Sequence, residues 1–246
     1  MPDRPVVLDA GHGLKLSDPG GMLAGMYREW ATGLAGAVAW SRAVVEPQTH
    51  RILPDGCLDL IWSDGRLLVA GPDTVVHEMS SPAGREYAGL RFRPGTGSSV
   101  FGVPAHELRD SRVRLDEIWP QRLVDGLTAR VSEAPSRTAA LLDIARERIE
   151  VDPVTDAVVE GLRNGRTVAK VAAEVGLSER QLLRRSLVVF GYGPKTLARV
   201  LRMEKALALA AKGVPAAEVA ASAGYADQAH LSRDVKALAG VPLSRV

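Results

Sequence analysis

The sequence predicts an α+β chain: a β-rich barrel or sandwich with trailing helices, followed by an all-α part. Three observations carry that prediction. The first hundred residues hold short alternating segments broken by glycine and proline. Beyond Val103 the apolar spacing becomes helical. Within the last ninety residues, one helix, turn and helix arrangement occurs twice.

Taken in order, VVLDAG (6–11) and AVAWSRAVV (37–45) read as strands. LDLIW (58–62) and RLLVA (66–70) flank Asp64-Gly65, a hairpin signal because both turn positions need φ > 0. GLRFRPG (89–95) alternates Leu90 and Phe92 with Arg91 and Arg93, the pattern of a strand buried on one side. Leu58, Leu60, Trp62, Leu90 and Phe92 would line the interior, either as an effector pocket or as plain core. PAHELRD (104–110) and SRTAALLDIARERIE (136–150) read as helices, and Arg112, Arg114, Asp116 and Glu117 as helix-surface charges. Asp152-Pro153 stops one helix and starts the next, which places a boundary near 150 between a β-rich front domain (1–150) and a rear domain (151–246). No Gly/Ser linker separates them, so close packing is expected.

Composition narrows the function. With 46% hydrophobic and 24% charged residues, no apolar run of about eighteen and no secretion signal, the expectation is a folded cytoplasmic protein. One cysteine, Cys57, excludes an internal disulfide and a cysteine-clustered zinc site. The net charge of +2 divides unevenly: residues 153–246 hold 14 basic and 8 acidic residues, leaving the rear at +6 and the remainder at −4. A basic lobe suits a polyanionic partner.

In TVAKVAAEVGLSERQLLRRSLVVFGYGP (167–194), Val168, Val171, Ala172 and Val175 form one apolar edge, and Gly176 permits a sharp turn. Ser178 and Gln181 then have capping-box spacing, which satisfies the first amides of a second helix. Leu182 points back into the junction while Arg180, Leu183 and Arg184 face out. The arrangement returns in PAAEVAASAGYADQAHLSRDVKALAG (215–240), with Gly224 in the turn, Asp227 as cap and Leu231 in the place of Leu182. The segment between, about residues 195–211, would span about 25 Å as a helix. Two recognition helices at its ends could then reach successive major grooves, about 34 Å apart.

The tandem units, the second reading G-Y-x-D-Q-x-H-L-S-R and ending G-V-P, resemble the DNA-binding module of AraC/XylS-type transcription regulators over residues 153–246. GYGPKTLARVLR (191–202) fits as the entry to the connecting helix. YREW (27–30), RILPDGCLDLIW (51–62), AGPDT (70–74) and GLRFRPG resemble a poorly characterised domain that commonly precedes this module. The resemblance implies base-facing positions at Arg180, Leu183 and Arg184 and at Gln228, His230 and Arg233. Arginine matches guanine O6/N7 and glutamine matches adenine N6/N7. Lys170, Arg185, Lys195 and Lys236 are assigned to phosphates. What the front domain senses is not implied by the resemblance; the partners expected are double-stranded DNA, a small-molecule effector or a second copy of the chain at the front domain (1–150, the regulatory part on this reading), and RNA polymerase, with no cofactor and no membrane.

The chain departs from the family where a bulky aromatic usually follows the buried leucine by four residues. Ser186 and Val235 stand there. A hydroxyl in a core either finds a carbonyl or leaves a packing defect, and Phe190 is one turn further on, where it could fill the gap. Two other readings compete. A cupin-like small-molecule or metal-dependent enzyme would use His50, Asp55, Asp59 and His77, but no H-x-H or H-x-x-x-H pair exists and Asp55-Gly56 reads as a turn. Decayed helix-turn-helix units could instead bind protein. No nucleophile elbow, phosphate loop or dinucleotide fingerprint appears, so the chain is expected not to be an enzyme.

Overall fold

The structure is a computed structural model that describes residues 27–246; the VVLDAG segment lies outside the described residues. The strands are β1 (Tyr27–Ala31), β2 (Ala37–Ala43), β3 (Gln48–Ile52), β4 (Leu58–Ser63), β5 (Arg66–Ala70), β6 (His77–Ser81) and β7 (Glu86–Phe92). After them come helix α1 (Gly97–Phe101), a 3-10 turn at Ala105–Glu107, and strand β8 (Arg112–Arg114). Helices α2 (Gln121–Glu133) and α3 (Arg137–Arg146) complete the front part. Pairing is antiparallel throughout, in the order β1-β2-β7-β4-β5-β8, with β3 and β6 forming a separate two-stranded sheet. The β4–β5 hairpin turns at Asp64 and Gly65, whose φ values of 48° and 68° are those the dipeptide predicts.

The large sheet is buried on both faces. Its Leu58, Leu60, Leu90 and Phe92 side packs under α1, α2 and α3. Leu58, Leu60, Trp62, Leu90 and Phe92 are therefore packed as core: Phe92 meets Phe101 edge-on at 5.7 Å, and all five are at most 7% exposed. The opposite face carries Trp40 and Tyr87 against Met79 of the small sheet. Gly89 makes room there, because any Cβ would lie 2.3 Å from the Trp40 ring. On the same face Arg91 is 2% exposed, with Glu29, Asp55 and Asp59 at 3.5 to 3.6 Å from its guanidinium. This corrects the expectation of one-sided burial for GLRFRPG. Its arginine is enclosed because three carboxylates offset the cost of taking it out of water. Burial alone would lower the Arg91 pKa, but Asp59 and Asp55 hold it well above its ordinary value.

Two other expectations are corrected. PAHELRD forms only the 3-10 turn, since Asp110 adopts a left-handed φ of 55° that no helix continues through. Arg112 and Arg114 lie on β8, where Val113 pairs with Val69, and Asp116 and Glu117 sit in the short 3-10 turn that follows. SRTAALLDIARERIE is helical as α3, capped by Ser136, and AVAWSRAVV holds β2.

The rear part is all helix: α4 (Pro153–Arg163), α5 (Val168–Glu174), α6 (Glu179–Phe190), α7 (Pro194–Ala211), α8 (Ala216–Ala223) and α9 (Gln228–Ala239). Asp152 caps α4 through the Val154 and Thr155 amides, with Pro153 at the first helical position. Front and rear share a buried seam. Leu53, in the loop after β3, lies in the apolar cluster of α7, α8 and α9. A Cβ on Gly56 would lie 3.2 Å from the Tyr192 hydroxyl and 3.4 Å from Leu197. Burial pushes the Cys57 thiol and the Tyr192 phenol well up, so Cys57 is inert packing. Glu204, on α7, is raised to about 8 by burial and then by the Asp55 carboxylate, against the lowering effect of Arg163, whose Nη1 is 3.4 Å away.

Candidate nucleic-acid interface

The first unit is α5, a turn at Gly176, and α6. Thr167 caps α5 by accepting from the Lys170 amide, and α5 buries Val171 and Ala172. Small residues there let α6 approach and bury Leu182, Ser186 and Phe190. The capping box at the start of α6 is closed: the Ser178 amide donates to Gln181 Oε1 at 2.8 Å, and the Gln181 amide donates to Ser178 Oγ. The second unit repeats this chemistry with one change of cap. α8 ends at Gly224, and Asp227 opens α9 by accepting from the His230 amide at 2.6 Å. α9 buries Leu231, Asp234, Val235 and Leu238.

Those buried edges leave the opposite faces to solvent. Arg180, Leu183 and Arg184 are exposed on the N-terminal half of α6, with Leu183 at 44%. Gln228 and Arg233 are exposed on α9. Among the described residues, Arg180, Arg184 and Arg233 form no ion pair, so their guanidinium groups are available to an outside acceptor. His230 is half-buried: its ring meets Tyr225 edge-on at 5.2 Å, and Nδ1 accepts from the Ala226 amide at 3.4 Å. In the neutral ring that leaves the proton on Nε2, which is a donor.

Lys170, Lys195 and Lys236 are exposed at the periphery of these helices. Arg185 differs. Its guanidinium is bound to Asp152, the cap of α4, and ties α6 to α4. Burial would raise the Asp152 pKa, but the Thr155 hydroxyl and Arg185 hold it below the usual carboxylate range. The second unit has its own tie, which the sequence did not reveal. Arg199 of α7 donates from Nε and Nη2 to Asp234 Oδ1 at 2.9 and 2.6 Å. Arg202, one turn on, lies over the Tyr225 ring and donates to the Gly224 carbonyl. The spacing of Arg199 and Arg202 on one face of α7 was the available signal.

The front domain reaches both recognition helices at their C-terminal ends. His106 Nδ1 lies 3.2 Å from the Leu187 carbonyl, and Arg109 donates to the Gly191 carbonyl. The Val76 amide donates to the Leu238 carbonyl at 2.7 Å. None of these contacts involves the exposed arginines. The imagined metal ligands do not assemble: His50 pairs with Arg42, Asp55 and Asp59 surround Arg91, and among the described residues no group of three His, Cys, Asp or Glu could hold an ion. A groove of about 540 Å³ opens instead beside β1 and β2, where Trp30 and the N-terminus of α3 form its walls.

A repeated helix-turn-helix with two outward basic faces defines a DNA-binding class of protein. Comparison agrees: residues 171–246 match the family model described as a helix-turn-helix domain, HTH_18, and residues 36–114 match DUF6597, a domain of unknown function. The chain thus carries a helix-turn-helix domain behind that domain of unknown function. No curated protein matches it. Among solved structures, unsaturated-fatty-acid-bound wild-type ToxT from Vibrio cholerae strain SCE256 is similar at 10% identity, over 87% of this chain and 96% of that one, with a TM-score of 0.47. ToxT from Vibrio cholerae O395 is similar at 10% identity, over 84% and 95%, with a TM-score of 0.43. The same protein bound to (E)-4-(8-methylnaphthalen-1-yl)but-3-enoic acid gives 11%, 84%, 95% and 0.45. No helix among the described residues is long and apolar enough to cross a membrane.

Proposed function

We propose that the protein is a DNA-binding transcription regulator of the AraC type that reads an asymmetric duplex site, α6 entering one major groove and α9 the next. The DNA reader on this reading is residues 151–246, and residues 1–150 regulate it. One observation carries it: both recognition helices keep their N-terminal halves exposed while the front domain holds only their C-terminal ends. Arg180 and Arg184 then serve guanine and Gln228 serves adenine, and His230 offers Nε2–H to a base acceptor. Leu183 is the apolar member and suits a thymine methyl. Lys170, Lys195 and Lys236 neutralise phosphates.

A small effector would act by preferring one arrangement of front and rear domains, which shifts the population able to engage both grooves. The groove beside Trp30 is where the front domain has room for one. Selection of bound sequences from a random duplex pool tests the reading. The expected product is a bipartite motif with half-sites one helical turn apart, and Arg233→Ala should weaken it by about 1 to 3 kcal/mol while relaxing one base position. Equal loss on specific and random DNA would reassign Arg233 to a phosphate.

A further inference from the structure

Residues 71–76, which connect β5 to β6, touch both recognition helices. At one end Pro72 lies against Gly191, the left-handed residue that caps α6: a Cβ there would be 2.6 Å from Pro72 Cγ and 3.1 Å from the Ala105 carbonyl oxygen. At the other end Val76 donates its amide to Leu238 O, and its Cγ1 would be 3.0 Å from a Cβ on Gly240, the cap of α9. The cap residues of the two reading helices are thus spanned by five residues, at most about 18 Å of extended chain.

The segment is itself held firmly. Asp73 is 7% exposed and accepts from Arg112 Nη1 and Nη2 at 2.9 and 2.6 Å, a two-point charged contact. Thr74 donates its amide and hydroxyl to Asp110, and the Asp110 amide donates to Pro72 O. The Gly71 amide donates to Ser111 O. The stretch that pins the segment, 106–112, also carries His106 and Arg109, which hold the end of α6. The path from one cap to the other through residues 72–76 is therefore short and pinned by hydrogen bonds along its length.

Helix α7 already joins the two units. Two bodies joined at one place can rock about the joint, whereas a second attachment at a distance removes that freedom. We infer that residues 71–76 are a yoke, in which Asp73 and Val76 are positioning residues that fix the separation and angle of α6 and α9. This deepens the two-groove reading and rests on it for its consequence in DNA, though the yoke itself can be tested without DNA.

The test uses the full chain with spin labels on Arg180→Cys and Gln228→Cys, both exposed; Cys57 is buried and stays unlabelled. The parent should give one narrow inter-label distance. Val76→Pro, which removes the amide donor, should broaden that distribution at least twofold, and the milder Asp73→Asn should broaden it less. Leu141→Val, which loosens the front core under α3 on the far side from the yoke, should leave it narrow. An unchanged distribution in both folded yoke variants overturns the inference, as does equal broadening in Leu141→Val. In duplexes carrying the two half-sites at spacings varied by one or two base pairs, the unlabelled protein, with Arg180 and Gln228 intact, should favour one spacing at least tenfold, and Val76→Pro in that background should flatten the preference at least threefold. A narrow distance in the labelled chain with no bipartite site for the unlabelled one refutes the two-groove reading and leaves the yoke standing.

Discussion

The two helix-turn-helix units share an order of parts and differ in what fastens them. The first is fastened by polar groups: Arg185 to Asp152 within the rear domain, His106 and Arg109 to the end of α6 from the front. It also contains a fault, for Ser186 is fully buried and its hydroxyl finds no partner. Phe190 is buried in the same cluster as Leu182 and Leu197, and supplies one turn later the bulk that Ser186 lacks. The second unit has a polar tie as well, Arg199 to Asp234, but the front domain enters it by apolar insertion, with Leu53 buried in its core and Val76 packed against it, and Val235 fills the position where the first unit has serine. A repeated fold therefore constrains helix order and turn chemistry, while its fastenings are free to diverge.

The largest expected effect falls on the inserted leucine. Leu53→Ala should cost about 2 to 4 kcal/mol, because a buried methyl cluster leaves a cavity that neighbouring helices only partly close. Denaturant unfolding checks it, and a cost under about 1 kcal/mol would mean that the second unit does not depend on the front domain. The next effect has opposite signs in the two units. Val235→Ser should lose roughly 1 to 3 kcal/mol by burying an unpaired hydroxyl in an apolar site, whereas Ser186→Ala removes one and should be neutral or gain up to about 1 kcal/mol. Thermal unfolding of both variants decides whether the asymmetry is real; a clear loss in Ser186→Ala would show a bound water or carbonyl at that hydroxyl.

The smallest effect concerns α7, which both units share. The folded pKa of Glu204 is about 8, above the ordinary carboxylate value of the unfolded chain. The folded state therefore holds a proton that the unfolded state releases, and stability through this group falls as pH rises from about 4.5 to 8. Glu204→Gln should raise Tm by roughly 2 to 4 °C at pH 8, equivalent to about 1 kcal/mol in a protein of this size, and the gain should vanish by about pH 5. A pH-independent gain would assign the effect to packing instead of titration.

The caps, turns and buried edges of the rear domain were legible because each is set within a few residues: Ser178 with Gln181, Asp227 with the His230 amide, Asp152 with Pro153. The Asp64-Gly65 hairpin was legible for the same reason. Arg91 was misread because alternation tells two faces apart but cannot say that a second sheet covers the polar one. β3, β6 and β8 were missed, being short and polar and defined only by partners distant in sequence. Of the assigned DNA contacts, the outward arginines follow from helical phase, whereas the ion pair of Arg185 was not legible because its Asp152 partner is 33 residues away. The front-domain contacts to the C-caps left no mark in the sequence, since three of them reach backbone carbonyls that any residue supplies.

The loop from Leu53 to Cys57 gives the enclosed arginine a reach beyond its own sheet. Asp55 faces Arg91 on one side and receives the Cys57 amide on the other, while the next residue, Gly56, rests on Tyr192 and Leu197. A change of charge inside the front domain would thus bear, through Asp55 and Gly56, on the residues beneath the start of α7.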